Sequence, residues 1–250
     1  MNFAEYSERY QCVKMQRSDG VLQLTLHTEG KALVWGAIPH RELPQVFLDV
    51  GSDLENRVII LTGTGDSFSG PRPPAATRQG RSTSDWDRIM REGKALLTNL
   101  LNIEVPMISA INGPAIRHSE LALLCDIVLA AETAVFEDAG HFDSGFAPGD
   151  GLNIVYSMLL GLNRARYFLL TSQCLSAREA LELGLVNEVL PPAKLLQRAH
   201  EHAHNLLRHP DMHLRHTRQI LVEPFKRQIA TQLPQYLALE ALANIDRALP

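Results

Sequence analysis

Cysteine is scarce in this chain: Cys12, Cys125 and Cys174 are the only three in 250 residues, an odd number with no Cys-x-x-Cys pair. Such a set supplies neither a disulfide framework nor a structural zinc site, and it fits a reducing, cytoplasmic compartment. An excess of one charge is lacking too. With 24 Lys and Arg against 28 Asp and Glu, the formal net charge is -4 and no block of like charge stands out, which argues against a nucleic-acid partner. No uninterrupted apolar run reaches the roughly 18 residues of a membrane span. The opening MNFAEYSERYQ has neither a basic start nor an apolar stretch, so no signal peptide and no membrane partner are expected. Two catalytic signatures are missing as well. No Gly-x-Ser-x-Gly elbow occurs, which removes an α/β-hydrolase serine nucleophile. Gly63 to Gly70 (GTGDSFSG) has Phe68 at the third glycine position of a nucleotide loop and no Gly-Lys-Ser/Thr after it, so it reads as a strand-end turn rather than a phosphate cradle.

What is present is enough for one sizeable core. At 250 residues and 45% hydrophobic content, the chain can bury roughly three quarters of its unfolded surface, as a single α/β domain. Alternation over 12 to 27, with Asp19-Gly20 in the middle, predicts a hairpin at a sheet edge. Helical spacing over 41 to 50 precedes RVIILT (57 to 62), a continuously apolar strand. Ser84 to Ile103 repeats apolar residues with helical period, and Ser84 with Asp87 has the spacing of a capping box. PMISAI (106 to 111) and DIVLA (126 to 130) read as further buried strands around a short helix at 120 to 124, and the alternation predicts a parallel sheet. Beyond residue 152 helices dominate, over 152 to 160, 163 to 170, 177 to 183, 192 to 208, 211 to 222 and 226 to 247. Residues 70 to 84 form a Pro/Gly/Ser/Arg-rich loop of the kind found beside binding sites.

Histidines mark the candidate chemistry. His200, His202 and His204 look like a metal tract, but only the outer two share a helix face and no third ligand accompanies them. A solvated amphipathic helix is the plainer reading, and it extends to His27, His40, His209, His213 and His216; no metal is expected. Asn112 to Glu120 (NGPAIRHSE) is different, because it leaves a buried strand and opens a helix, where strand-end loops place catalytic groups. His118 lies there. Glu137 to Gly151 (EDAGHFDSGFAPGDG) carries His141, Asp143 and Asp150 among glycines and prolines. A carboxylate such as Asp150 can fix an imidazole such as His141 in one tautomer and steady its charged form. Capping and turn roles remain the alternative for these polar residues.

Along nearly its whole length the sequence resembles the crotonase (enoyl-CoA hydratase/isomerase) superfamily. RVIILTGTGDSFSG is similar to that family's strand and first oxyanion loop, VPMISAINGPA and LALLCDIVLAAETAVF to its second, and FLLTSQCLSAREALELGLVNEVLP to its C-terminal hallmark. The resemblance implies an α/β fold built as a crotonase-like spiral of ββα units over residues 1 to 190. A C-terminal helical trimerisation layer over 191 to 250 and a homotrimer or homohexamer go with it. Two departures matter. Standard members hold a thioester oxyanion between backbone N–H groups of a Phe-Ser-Ala-Gly-Ala-Asp loop and a Gly-Gly-Gly run, whereas this chain has Phe68-Ser69-Gly70-Pro71-Arg72-Pro73 and Arg117-His118-Ser119. Pro71 and Pro73 carry no N–H, and each lost oxyanion donor forfeits on the order of 3 kcal/mol. Glu120 lies near one of the family's catalytic glutamates and His141 near the other.

LHTEGKALVW, the NGP…H…DIVLAAE run, the F-x-D-x-x-HF-x-SG-x-x-PGDG pattern from Phe136 and EALANID resemble instead the branch of 6-oxocamphor hydrolase and related β-diketone hydrolases. That resemblance implies catalytic roles for His118, His141, Asp150 and Glu240, and a substrate-pocket role for Trp35. The implied activity is retro-Claisen hydrolysis of a cyclic or bicyclic 1,3-diketone to a keto acid, without CoA, metal or organic cofactor. In this reading His141, held by Asp150, is the general base. His118 and the Trp35 indole donate to the oxygens, and Glu240 orients. Open alternatives are a CoA-thioester enzyme, with Asp150 as nucleophile in a dehalogenase type, and a catalytically silent binding or assembly member.

Overall fold

The computed structural model describes residues 2–70 and 81–248. After one turn of helix, α1 (Phe3–Tyr6), the chain forms the expected hairpin of β1 (Val13–Ser18) and β2 (Val21–Leu26), paired antiparallel from Val13 opposite Leu26 to Ser18 opposite Val21. Asp19 and Gly20 take φ of 51° and 81°, which a two-residue hairpin turn demands and which these residue types tolerate. Then follow α2 (Ala37–Ser52), β3 (Val58–Gly63), α3 (Thr83–Asn102), β4 (Met107–Ile111), the short α4 (Glu120–Leu123), β5 (Ile127–Ala131) and β6 (Val135–Phe136). The remainder is α5 (Leu152–Leu160), α6 (Leu162–Leu170), β7 (Leu175–Ser176), α7 (Ala177–Glu182), β8 (Glu188–Leu190), α8 (Pro192–Leu206) and α9 (Asp211–Ala248).

The main sheet has the order β1-β2-β3-β4-β5-β8, with β1 antiparallel at the edge and every other pair parallel. Every residue of β3 and β4 is buried, which is why their sequences are apolar without alternation. One face packs into the larger core; α8 covers the other, setting Leu195, Ala199 and Ala203 against Val58, Ile60, Ile108 and Leu129. A second, smaller set of pairings turns this layout into a spiral. After β3, β4 and β5 the chain bends, and Ser69, Ala115 and Phe136 bridge one another in parallel before β6 pairs with β7. Glycine makes the bends possible: a Cβ at Gly113 would stand 1.8 Å from the Asp66 carbonyl, and one at Gly63 would stand 2.5 Å from that of Ser67. The architecture is thus the α/β, parallel-rich sheet with a helical C-terminal segment that the sequence resemblance implied.

Two expectations need correction. The capping box of α3 is Ser82 with Asp85, not Ser84 with Asp87: the Asp85 N–H donates to Ser82 Oγ at 3.1 Å, while Asp87 pairs with Arg91 at 2.9 Å. The same Ser-x-x-Asp spacing occurs twice in this run, and the earlier copy starts the helix. The helices expected over 211 to 222 and 226 to 247 are one continuous helix, α9, with Pro224 and Pro234 inside it. An interior proline forfeits a backbone hydrogen bond, about 3 kcal/mol. Burial of Val222, Ile229, Leu233 and Leu237 offsets that loss, as does the anchor at Arg218, whose guanidinium donates to the Ile103 carbonyl at 2.8 Å and to Asp126 at 2.6 Å. Among the described residues no helix is long and apolar enough to cross a membrane.

Candidate active site

Successive turns of the spiral deliver their loops to one place. Ile116 N–H donates to the Ser69 carbonyl at 3.0 Å and Ala139 N–H to the Ile116 carbonyl at 3.1 Å, so the segments running to His118 and His141 lie side by side. His118 is held at φ 51°, a left-handed conformation that costs a non-glycine residue about 1–3 kcal/mol and that clusters at functional sites. The loop carrying Asp150 packs on α9 through Gly149, where a Cβ would stand 2.3 Å from the Tyr236 carbonyl, and this brings Glu240 in from the other side. Between these parts lies a cavity of about 340 Å³ lined by Trp35, His118, His141, Asp150 and Glu240, with Arg117 beside them.

Asp150 is the centre of the arrangement. Its Oδ2 stands 3.4 Å from Nδ1 of His118 and 3.4 Å from Nε2 of His141, and its Oδ1 accepts from the Leu152 N–H at 3.2 Å. His141 is surrounded by carboxylates: Asp138 accepts from Nδ1 at 2.6 Å, and Glu240 lies 3.8 Å from Nε2. Burial works against its charged form, but Asp150, Asp138 and Glu240 together outweigh burial and raise it to about 10. His118 goes the other way. Burial, reinforced by Arg117, His40 and His141, lowers it to about 3 against the pull of Asp150.

The Nδ1 of His118 meets Glu120 Oε1 at 2.7 Å, a distance that fits an ion pair or a neutral hydrogen bond. The neutral bond is favoured. Burial, with the charge of Asp150, pushes the Glu120 carboxyl well above the usual carboxylate range, and its Oε2 has no partner among the described residues, which a buried anion would not tolerate. A protonated Glu120 donates to Nδ1 and leaves N–H on Nε2 of His118. Glu240 is likewise raised, to about 8, by burial and Asp150, against His141 and Arg81.

All five residues named from the sequence, Trp35, His118, His141, Asp150 and Glu240, line this one cavity. Trp35 lies ring over ring on His118, with centroids 3.6 Å apart and planes 30° apart. One pairing differs from the expected one: the partner that holds His141 Nδ1 is Asp138, three residues before it, while Asp150 faces Nε2 at a distance longer than a good hydrogen bond. Sequence reasoning also passed over His40, which lines the cavity and bonds Glu92 at 2.7 Å, and over Arg117. Asp138 was findable as an acid one turn before a histidine in a glycine-broken loop; His40, within α2, gave no such signal. The histidines of α8 are engaged separately, His200 with Gln23, His202 with Glu188 and His204 with the His200 carbonyl. Among the described residues the group spaced to share a metal ion is His118, Glu120 and Asp150. Pro71, Pro73 and nearly all of the 70 to 79 loop lie outside the described residues.

The first oxyanion loop is occupied by the protein itself. Phe68 and Ser69 N–H both donate to the Pro114 carbonyl, at 3.0 and 3.2 Å, and Gly70 N–H donates to the Leu33 carbonyl at 3.0 Å.

A spiral of this kind, with its acids and imidazoles gathered where the turns meet, defines a crotonase-type enzyme. The sequence profile of the enoyl-CoA hydratase/isomerase family matches residues 16–243, and the chain belongs to that family. It is similar to a solved β-diketone hydrolase from the cyanobacterium Anabaena sp. PCC 7120, bound to (S)-3-oxocyclohexyl acetic acid: 42% identity, TM-score 0.93, covering 98% of this chain and 99% of that one. It is also 28% identical over 194 residues to a short-chain-enoyl-CoA hydratase of Clostridium acetobutylicum, 77% of this chain and 74% of that protein. Against a carnitinyl-CoA dehydratase of Shigella flexneri it is 31% identical over 196 residues, 77% and 73% of the two chains.

Proposed function

We propose that this chain hydrolyses a carbon–carbon bond of a cyclic or bicyclic 1,3-diketone by a retro-Claisen reaction, without CoA. The observation that carries the reading is the placement of one carboxylate, Asp150, 3.4 Å from each of two imidazoles, His118 and His141. A 1,3-diketone presents two carbonyl oxygens flanking one carbon, and a base set between two imidazoles, each with one N–H left to donate, matches it. The likeness to the Anabaena β-diketone hydrolase supports the same reading, and the self-satisfied donors at Phe68, Ser69 and Gly70 weigh against a thioester oxyanion hole in the first loop.

The roles follow the charges. His118, neutral with N–H on Nε2, donates to one carbonyl oxygen, and the Trp35 ring backs it. His141 is a cation whose Nε2–H has no acceptor at ordinary hydrogen-bond distance among the described residues, which leaves it for the other oxygen. A cation cannot serve as general base, so Asp150 replaces His141 in that role. Asp150 takes one proton from water as the water oxygen bonds to a carbonyl carbon, giving a tetrahedral alkoxide. The alkoxide collapses, the carbon–carbon bond breaks, and its electron pair becomes the enolate of the second ketone. Asp150 returns the proton to the enolate carbon, so that diketone plus water gives keto acid with atoms balanced. Glu240 faces His141 and orients it.

The test is turnover of a panel of cyclic and bicyclic 1,3-diketones without CoA, read as keto acid by mass spectrometry. Asp150→Asn is expected to lower kcat about 100-fold or more, the usual worth of a general base, while the protein stays folded. Near-normal turnover in that variant, or no cleavage across the panel together with hydration of an enoyl-CoA, would overturn the reading. The curated CoA-dependent relatives make that second arm necessary.

A further inference from the structure

Among the described residues, three arginines line the cavity, and they are not equivalent. Arg88 contacts Glu92 at 3.3 Å and Asp85 at 3.5 Å, and the guanidinium of Arg81 lies 5.4 Å from the centroid of the Trp86 ring. Arg117 has no ion pair or hydrogen bond from its guanidinium to any described residue, although Asp150, Asp138, Glu120 and Glu240 all contribute to its field. It is largely buried, and burial lowers its proton affinity. Its guanidinium lies flat against Gly140, so near that a Cβ there would stand 3.0 Å from Cζ. Gly140 directly precedes His141, and Arg117 directly precedes His118. Among the described residues, Arg117 is therefore a planar cation without an ion pair that sits between the two imidazole-bearing segments. A partly buried guanidinium without an anion is costly, and its fork of donors matches a carboxylate.

We propose that Arg117 is the carboxylate anchor of this cavity, holding the acid group formed when the diketone is opened and making short alicyclic carboxylates competitive ligands of the site. This rests on the diketone reading of the same cavity, because that reaction creates a carboxylate beside Asp150, and a guanidinium free of ion pairs with the described residues can hold it there. Arg117 binds the acid through paired N–H···O bonds, and a neutral ligand of the same shape has no use for them.

The experiment compares cyclohexylacetate with cyclohexylethanol, its neutral counterpart, by calorimetry on the full chain. Wild type is expected to bind the acid more tightly than the alcohol. Arg117→Gln is expected to weaken the acid about 10-fold or more, the scale of a lost charged hydrogen bond, and to leave the alcohol unchanged. Gly140→Ala keeps the charge but crowds the guanidinium from its place, and it is expected to weaken the acid selectively too. It supplies the answer should Arg117→Gln fail to fold. Equal loss for acid and alcohol, no loss in either variant, or no preference for the acid in wild type would overturn the proposal. The two readings fail separately. Acid binding through Arg117 without diketone turnover sinks the reaction and leaves the anchor, whereas turnover with acid affinity independent of Arg117 sinks the anchor alone.

Discussion

His118 and His141 carry the same side chain in one cavity, yet their proton affinities are shifted in opposite directions, and the difference lies in what faces each ring. Three carboxyl groups, from Asp138, Asp150 and Glu240, face His141; His118 has the neutral acid Glu120 on Nδ1 and the indole of Trp35 on its face. If the cation at His141 polarises a carbonyl, kcat must fall as pH rises through about 10, and titration of His141 must add no step to the pH profile below neutrality. Both ring nitrogens of His141 should carry protons in nitrogen NMR spectra well above pH 6.5, the ordinary value; a lone pair there would return it to the role of base. The Glu120 assignment makes a separate prediction. Glu120→Gln keeps a donor to Nδ1 of His118 and should retain activity within a few-fold, while Glu120→Ala leaves the ring unanchored and should lose about 10-fold or more, a charge-free hydrogen bond plus its orienting effect. Equal losses would mean that Glu120 acts through its charge. Sequence alone named both histidines and Asp150, since polar residues in glycine-rich strand-end loops stand out. It gave no sign of which ring would be charged, because that depends on three carboxylates from segments as far apart as Asp138 and Glu240 meeting out of water.

The elements meet where glycine lets them. Gly149 sets the Asp150 loop against α9 at a distance no side chain permits, so one residue governs how near Asp150 and Glu240 come. Gly149→Ala should force the loop and the helix apart, costing about 1–3 kcal/mol of stability as overpacking does, and lowering kcat along with the melting temperature. A variant that melts like wild type and turns over normally would show that the contact relaxes freely. The helices themselves were legible from their 3.6-residue period, and α5 matches the expected 152 to 160. The break expected near Pro224 was not there. A proline argues locally against a helix, but buried Val222 and Ile229 on either side hold α9 together through tertiary contact, which no local signal reports.

At the scale of the molecule, the parallel sheet could be read from its apolar runs, because strands buried on both faces have no room for polar residues. The spiral's second sheet could not, since it consists of two isolated bridges, Ser69 with Ala115 and Ala115 with Phe136, and the two-residue pairing of β6 with β7, which leave no periodicity. Those crossings collect titratable groups in the interior, and the whole fold must then answer to pH. His141 binds its proton more tightly folded than unfolded, so its contribution to stability is complete below about 6.5 and is lost as pH rises through about 10. Glu240 acts in the same direction: folded, it keeps until about 8 a proton that the unfolded chain releases near 4.5. His118 is opposite, because the unfolded chain takes up a proton below 6.5 that the folded ring refuses until about 3, so its share of stability is lost as pH falls. The melting temperature should therefore decline from neutral pH toward 10, with Glu240→Gln flattening the decline up to about 8 and His141→Gln flattening it up to about 10. If each variant loses stability in parallel with wild type over its own range, the charges assigned to this cavity are wrong, and with them the division of labour between its two imidazoles.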